Sequence, residues 1–121
     1  MTDTIVEFKG RVESVEPELI PKMFLARIKS LDGNYEVEMD LHKDLVVYEP
    51  GTEVEVTVSR SLPKYKNGED FVGHGTVVTM KDEGSKKAVL ISIGGLLFII
   101  RASESLELTP TEKVYVKVSR A

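Results

Sequence analysis

Cysteine is absent from this 121-residue sequence, and histidine occurs only twice. The lack of cysteine excludes a disulfide framework, a thiolate metal site and a thiol nucleophile. His42 and His74 lie far apart in the chain, and neither has a second histidine at metal-ligand spacing. No serine lies in a nucleophile-elbow pattern, and no glycine-rich phosphate loop is present. We therefore expect no metal, no cofactor, no small-molecule substrate and no catalytic centre in this chain.

Long apolar runs and a basic charge balance are also missing. The most apolar stretch, residues 88–100, is shorter than the roughly 20 residues that a membrane-spanning helix needs. Because no signal peptide is evident, we expect a cytoplasmic protein with no membrane partner. The net charge of −4 at pH 7 is opposite in sign to that of most free-standing nucleic-acid binders. Direct contact with DNA or RNA would therefore be weak and would depend on a local basic patch.

The most informative stretch is residues 86–102, which read KKAVLISIGGLLFIIRA. A buried helix is disfavoured here, because two adjacent glycines inside it would cost roughly 2 kcal/mol relative to alanine. Two β-rich runs separated by Gly94 and Gly95 instead predict a hairpin, since glycine adopts the positive φ angles of tight turns. The second run is apolar at every position from 96 to 100, so both faces of its strand must be shielded from water. One face can lie on the core, and the other indicates a second layer or another protein.

Shorter β-rich segments fill most of the remaining chain. We predict further strands at residues 5–15, 23–30, 35–41, 52–60, 71–80 and 113–120. Residues 42–48 are ambiguous, with one helical turn as an alternative. About eight mostly antiparallel strands and no convincing helix predict one all-β domain over residues 1–121. A barrel or a sandwich fits this pattern, and we favour an OB-like closed barrel because closure removes exposed strand edges.

Turns and irregularities between these strands are predicted from individual residues. Asp32-Gly33 and Asn67-Gly68 are typical hairpin turns. Gly10 is expected to mark a bend or a bulge, whereas Gly73 and Gly75 imply a kink or a close backbone contact.

One possible helix signal is set aside. Thr109 and Glu112 have the spacing of a helix-capping box, but an alternating strand follows them. We therefore expect no helix at this point.

Two local basic features could contact nucleic acid, a segment that follows Arg60 and the residues Lys113, Lys117 and Arg120 on the last predicted strand. Tyr65 lies between Lys64 and Lys66, with Phe71 a few residues further on. Lysines interleaved with an aromatic side chain can bind a single strand by ion pairing and base stacking. The alternative is a loop kept soluble by its charges. A stand-alone OB-type single-strand binder therefore stays open as a second interpretation of the function.

In their order along the chain, several segments resemble the small barrel G subunit of archaeal DNA-directed RNA polymerase, the counterpart of the eighth subunit shared by eukaryotic nuclear polymerases. The strongest match is residues 92–101 (SIGGLLFIIR), where the family carries a serine, GGLL and an apolar strand. The other matching positions are Val12 to Pro17, Arg27, Ile28, Asp40, Leu41, Asp44, Leu45, Thr57, Val58, Ser61, Leu62, Gly73, Gly75, Thr76, Asp82, Glu83, Lys86 and Tyr115 to Arg120.

The resemblance implies a non-catalytic subunit that contributes to the assembly and stability of the transcription enzyme. It implies docking on the largest polymerase subunit and contact with neighbouring subunits. Within this chain, we expect the partner contacts at Gly94, Gly95, Leu96, Leu97, Phe98 and Arg101. The shielding that both faces of residues 96–100 require agrees with such a partner.

Overall fold

The computed structural model describes residues 3–42, 48–66 and 69–121. These residues contain eight β-strands and no helix. The strands are β1 (Thr4–Pro17), β2 (Met23–Ser30), β3 (Tyr35–His42), β4 (Glu53–Ser59), β5 (Phe71–Asp82), β6 (Lys87–Ile93), β7 (Leu96–Ala102) and β8 (Lys113–Arg120). The one helical turn considered within residues 42–48 and the Asn67-Gly68 turn fall wholly or mostly outside the described residues.

The strands close into a barrel in the order β1-β2-β3-β7-β6-β5-β8-β4. Every neighbouring pair is antiparallel. The prediction of an all-β closed barrel with about eight antiparallel strands is therefore confirmed. Closure pairs the edges of the long apolar strands, which would otherwise be templates for association with other chains.

Alternation of apolar side chains along the strands builds the core. On β4 and β8, every second residue is a fully buried valine, and β7 contributes Phe98 and Ile100. The period of two sends these side chains to the inside of the barrel and their neighbours to the outside. Burial of a side chain of this size contributes about 1.5–3 kcal/mol, so the interior face of each strand fixes its register.

Close approach between strands explains the glycines of β5. A Cβ atom at Gly75 would lie 2.7 Å from the backbone oxygen of Ser92, and one at Gly73 would lie 2.5 Å from Cγ2 of Ile93. The predicted close backbone contact is therefore confirmed at Gly75, whereas the close contact at Gly73 is with a side chain. The expectation of a bulge at Gly10 is wrong in its position, because the pairing of β1 with β2 shifts between Val12 and Ser14.

Gly10 has a different reason to be glycine. A Cβ atom there would lie 2.8 Å from the backbone oxygen of Lys29 on β2. Gly10 therefore marks a place where β1 and β2 lie close together.

The β2–β3 turn follows the Asp-Gly prediction. Gly33 has a φ of 80°, and its N–H donates to the carbonyl of Ser30 at 3.1 Å. The Asp32 carboxylate accepts the backbone N–H of Asn34 at 2.9 Å and the Ser30 hydroxyl at 2.7 Å. These hydrogen bonds lower the pKa of Asp32 and hold the turn closed.

Between β7 and β8, Thr109 and Glu112 make a capping-box contact without a helix. The Glu112 carboxylate accepts the N–H of Thr109 at 3.1 Å, and β8 begins at the next residue, Lys113. Arg60 donates from the other side to the same carboxylate and to the carbonyl of Glu107. The bond from Arg60 is the largest cause that lowers the pKa of Glu112. The contact thus joins the β7–β8 connection to the end of β4.

Candidate functional site

The β6–β7 hairpin turns on its two glycines, as predicted. Gly94 and Gly95 have φ angles of 57° and 92°, which suit the tight two-residue turn of a hairpin. The turn closes on the pair Ile93 and Leu96. Both glycines are exposed, and nothing lies within 4 Å of a Cβ atom built on either of them. The tip of the hairpin is therefore a bare stretch of backbone at the surface.

Alternation along β7 separates the core from the outer surface. Phe98, Ile100 and Ala102 point into the barrel and are at most 1% exposed. Leu97 and Ile99 point outward and are half-buried. The run of apolar residues therefore has one face in the core and one face on the outside of the barrel.

The outward residues of β6 continue this surface. Leu90 pairs with Ile99, and Ser92 pairs with Leu97. We call the outer surface formed by Leu90, Ser92, Leu97 and Ile99 the hairpin face. Three of its four side chains are aliphatic, and all four are half-buried.

An acidic edge borders the hairpin face on β3. The Asp40 carboxylate accepts the backbone N–H of Leu97 at 3.0 Å, and Glu38 pairs with Ile99 in the register. Burial, together with a hydrogen bond to Asp40 and its charge, raises the pKa of Glu18. Carboxyl groups thus gather beside the hairpin face, and Glu38 among them is ion-paired with Arg27 and Arg101.

Not every residue predicted to contact a partner lies at the surface. Gly94, Gly95, Leu96 and Leu97 lie together at the start of β7 and remain candidates. Phe98 is a correction, because its side chain is 1% exposed and packs in the barrel core.

Arg101 is half-buried and already engaged within the chain. It donates to Glu83 at 2.8 Å and to Glu38 at 3.1 Å. Burial lowers the pKa of Arg101, but these two carboxylates outweigh that effect and raise it. A partner would therefore compete with existing ion pairs for this side chain.

A further apolar feature lies in the β1–β2 turn. Leu19 is fully exposed, and Ile20 is 67% exposed. Met23 pairs with His42 at the end of β3, and Met39 pairs with Phe98 near the start of β7, so this turn and the hairpin tip lie at one end of the barrel. In the sequence, this feature is an apolar pair between two prolines, Pro17 and Pro21.

The predicted basic segment borders a surface cavity of about 470 Å³ on another side of the barrel. Lys64, Tyr65 and Lys66 line it from the β4–β5 connection, and Lys117 and Arg120 line it from β8. We call these five residues the basic cavity. The sequence placed the first three together, but the contribution of β8 depends on its pairing with β5.

The described residues include no group of three or more histidine, cysteine, aspartate or glutamate side chains that could hold a metal ion. Within the same residues, no helix is long and apolar enough to cross a membrane. The fold and its surfaces define the class, a small closed antiparallel barrel with an apolar outer face.

A family model that describes the G subunit of DNA-directed RNA polymerase matches residues 5–121. The chain belongs to this family and is a component of an enzyme complex, so the resemblance inferred from residues 92–101 is confirmed. Among curated proteins, a search found no match.

One of the solved structures that resemble this chain is that of the cytoplasmic molybdate-binding protein ModG, in a crystal form with molybdate bound. It is 16% identical, with 96% of this chain and 90% of that chain covered and a TM-score of 0.35. A likeness this low carries no information about function.

Proposed function

We propose that this chain is a non-catalytic subunit of RNA polymerase that docks on the largest subunit and stabilises the assembled enzyme. The observation that carries the proposal is the hairpin face, a half-buried aliphatic surface beside a turn without side chains. Membership of the G-subunit family supports a place among polymerase subunits, and the resemblance stated above points to the largest one. Contact with neighbouring subunits and a cytoplasmic location belong to the same proposal.

Completing the burial of Leu90, Leu97 and Ile99 would drive the docking. Full burial of a Leu or Ile side chain contributes about 1.5–3 kcal/mol, and part of that remains available for each half-buried side chain. The exposed backbone at Gly94 and Gly95 would allow close approach of a partner main chain. Such an interface depends little on salt, unlike one made of surface ion pairs.

The direct test is recovery of polymerase subunits with the tagged full-length chain at roughly 0.5 M salt, where the Debye length is only about 4 Å. Identification of the largest polymerase subunit by mass spectrometry in the recovered complex is the expected result. Failure to recover any polymerase subunit would overturn the proposal.

The residue-level test replaces Leu97 on the hairpin face. Leu97→Asp should abolish recovery of the largest subunit while the isolated chain stays folded by circular dichroism. Since the new carboxylate would lie next to Asp40, like-charge repulsion could destabilise the barrel, so Leu97→Asn serves as a neutral second variant.

Leu31→Asp is the matched control for these variants, because Leu31 is an exposed leucine in the β2–β3 turn. This control should leave recovery unchanged. If Leu97→Asn unfolds the chain, or if it leaves recovery intact, Leu97 is not an interface residue.

A further inference from the structure

Four cations converge on the basic cavity, although the chain as a whole is acidic. Lys64, Lys66, Lys117 and Arg120 line it, and none of them forms an ion pair within the described part of the chain. Two carboxylates, Glu69 and Asp70, also line the cavity. The local balance is therefore four positive charges against two negative ones.

A fifth basic side chain, that of Arg60, is not free to bind a ligand because it is engaged within the chain. Arg60, which precedes the loop in sequence, is engaged by Glu112 and by the carbonyl of Glu107. One of the two carboxylates is also occupied, because Asp70 accepts the backbone N–H of Lys66 at 2.8 Å and closes the loop. Unpaired positive charge therefore concentrates in the cavity itself.

The barrel holds two of these cations in place. The Lys117 ammonium donates to the carbonyl of Lys64 at 2.7 Å, which also ties the loop to β8. The Arg120 guanidinium lies 5.0 Å from the centre of the Tyr48 ring. Tyr48 is in turn fixed by its hydroxyl, which donates to the carbonyl of Val118 at 2.6 Å. Two charges are thus positioned before any ligand arrives, which lowers the entropy lost on binding.

An aromatic side chain completes the cavity. Tyr65 is 48% exposed, although a large side chain gains by burying its ring. Close by on the outside of β8, Tyr115 stacks on exposed His74 with 4.4 Å between the ring centres. An exposed ring such as that of Tyr65 beside cations is the arrangement that binds the bases and phosphates of a single strand.

We propose that the basic cavity binds a single-stranded nucleic acid, with Tyr65 stacking on a base and the four cations contacting phosphates. A volume of about 470 Å³ lies within the range of small-ligand sites and can accept one nucleotide.

The β8 strand is opposite β3 in the barrel order and three positions from β7. The cavity and the hairpin face therefore lie on different sides, and a docked subunit could still contact a strand. The net charge of −4 limits long-range attraction, so we expect dissociation constants in the nonspecific range of about 10⁻⁶ to 10⁻⁴ M.

Fluorescence anisotropy with the full-length chain and labelled 12-nucleotide oligo(U), oligo(dT) and a duplex of equal length tests the proposal. We expect both single strands to bind more tightly than the duplex. Neutralising four phosphates predicts a slope of about −2.8 in log binding constant against log salt. Affinity should then fall at most about fifty-fold between 50 and 200 mM salt.

Matched variants separate this site from general charge effects. Lys64→Gln with Lys66→Gln should halve the salt slope. Lys29 and Lys81 are exposed and form no ion pair with any residue that the structure describes, so changing both to glutamine should leave the slope unchanged. Tyr65→Ala should weaken binding about tenfold at an unchanged slope, and Tyr65→Phe should retain it.

Three results would overturn the proposal: no binding at 50 mM salt, equal binding of the duplex, or equal losses in the two lysine pairs. Leu97→Asn should bind oligonucleotide normally. Failure of the docking proposal and failure of this one are therefore distinguishable.

Discussion

Replacing Gly75 with alanine tests how closely β5 and β6 approach each other. The added Cβ atom would lie 2.7 Å from the Ser92 backbone oxygen, 2.8 Å from Cγ2 of Ile91 and 2.9 Å from Cγ1 of Ile93. All three distances are below the 3.0 Å that real Cβ contacts essentially never cross. Because the shortest contact is to a backbone oxygen, no rotamer change can relieve it, and the two strands must separate.

The expected cost of Gly75→Ala is about 3 kcal/mol, at the upper end of the range for overpacking of a dense interior. With a urea m-value of about 2 kcal/mol/M, the unfolding midpoint should fall by about 1.5 M. The perturbation lies beside the turn end of the β6–β7 hairpin, so recovery of polymerase subunits should fall as well. Urea titration followed by circular dichroism provides the measurement.

Gly73→Ala is the matched control for the backbone contact. The three atoms nearest to its Cβ atom would all belong to the Ile93 side chain, the closest at 2.5 Å. Adding Ile93→Ala to the Gly73→Ala variant should therefore restore much of the lost stability. Adding Ile93→Ala to the Gly75→Ala variant should leave that variant destabilised. The reasoning is refuted if Gly75→Ala costs less than about 0.5 kcal/mol, or if Ile93→Ala rescues it fully.

Two further changes probe the polar contacts that hold the barrel ends. Tyr48→Phe removes the buried hydrogen bond to the Val118 carbonyl and should cost about 1–2 kcal/mol in thermal or urea unfolding, because the oxygen loses a partner inside the protein. Glu112→Gln weakens the contact with Arg60 and should cost at most about 1 kcal/mol at pH 7. The folded-state pKa of Glu112 lies below its ordinary 4.5, so its stabilising effect is present above that pH and is lost as the pH falls through the folded value. Urea midpoints of the Glu112 variant and the parent should therefore converge on acidification, and a difference that persists at low pH would contradict this assignment.

The strands could be predicted from local patterns. Both the alternation of apolar and polar residues and the residues that form turns depend only on positions close together in the sequence. Strands β2 and β8 begin and end at the residues expected, and the Gly94-Gly95 turn was evident from two adjacent glycines between β-rich runs. The unbroken apolar run of β7 was different. Its pattern could not show which alternate residues face inward, so Phe98 was assigned to a partner although pairing with β3 and β6 sends it to the core.

The basic cavity could be predicted only in part, for a similar reason. Lys64, Tyr65 and Lys66 are adjacent in sequence and are recognisable as a motif. Lys117 and Arg120 join them only because β8 pairs with β4 and β5 on either side of the connecting loop. Non-local pairing of this kind leaves no signal in the spacing of residues. The exposure of Leu19 and Ile20 likewise could not be predicted from the two prolines, Pro17 and Pro21, that flank them.

The position of β8 between β4 and β5 also determines when the barrel can close. Until residues 113–120 have left the ribosome, the other seven strands can form only an open sheet, with β4 and β5 as its two unpaired edges. Folding must then await contacts between residues distant in sequence, which places this chain among slow, millisecond-to-second folders. Open edges in that interval are where misassociation begins, so slow elongation over the last strand would favour aggregation of the nascent chain.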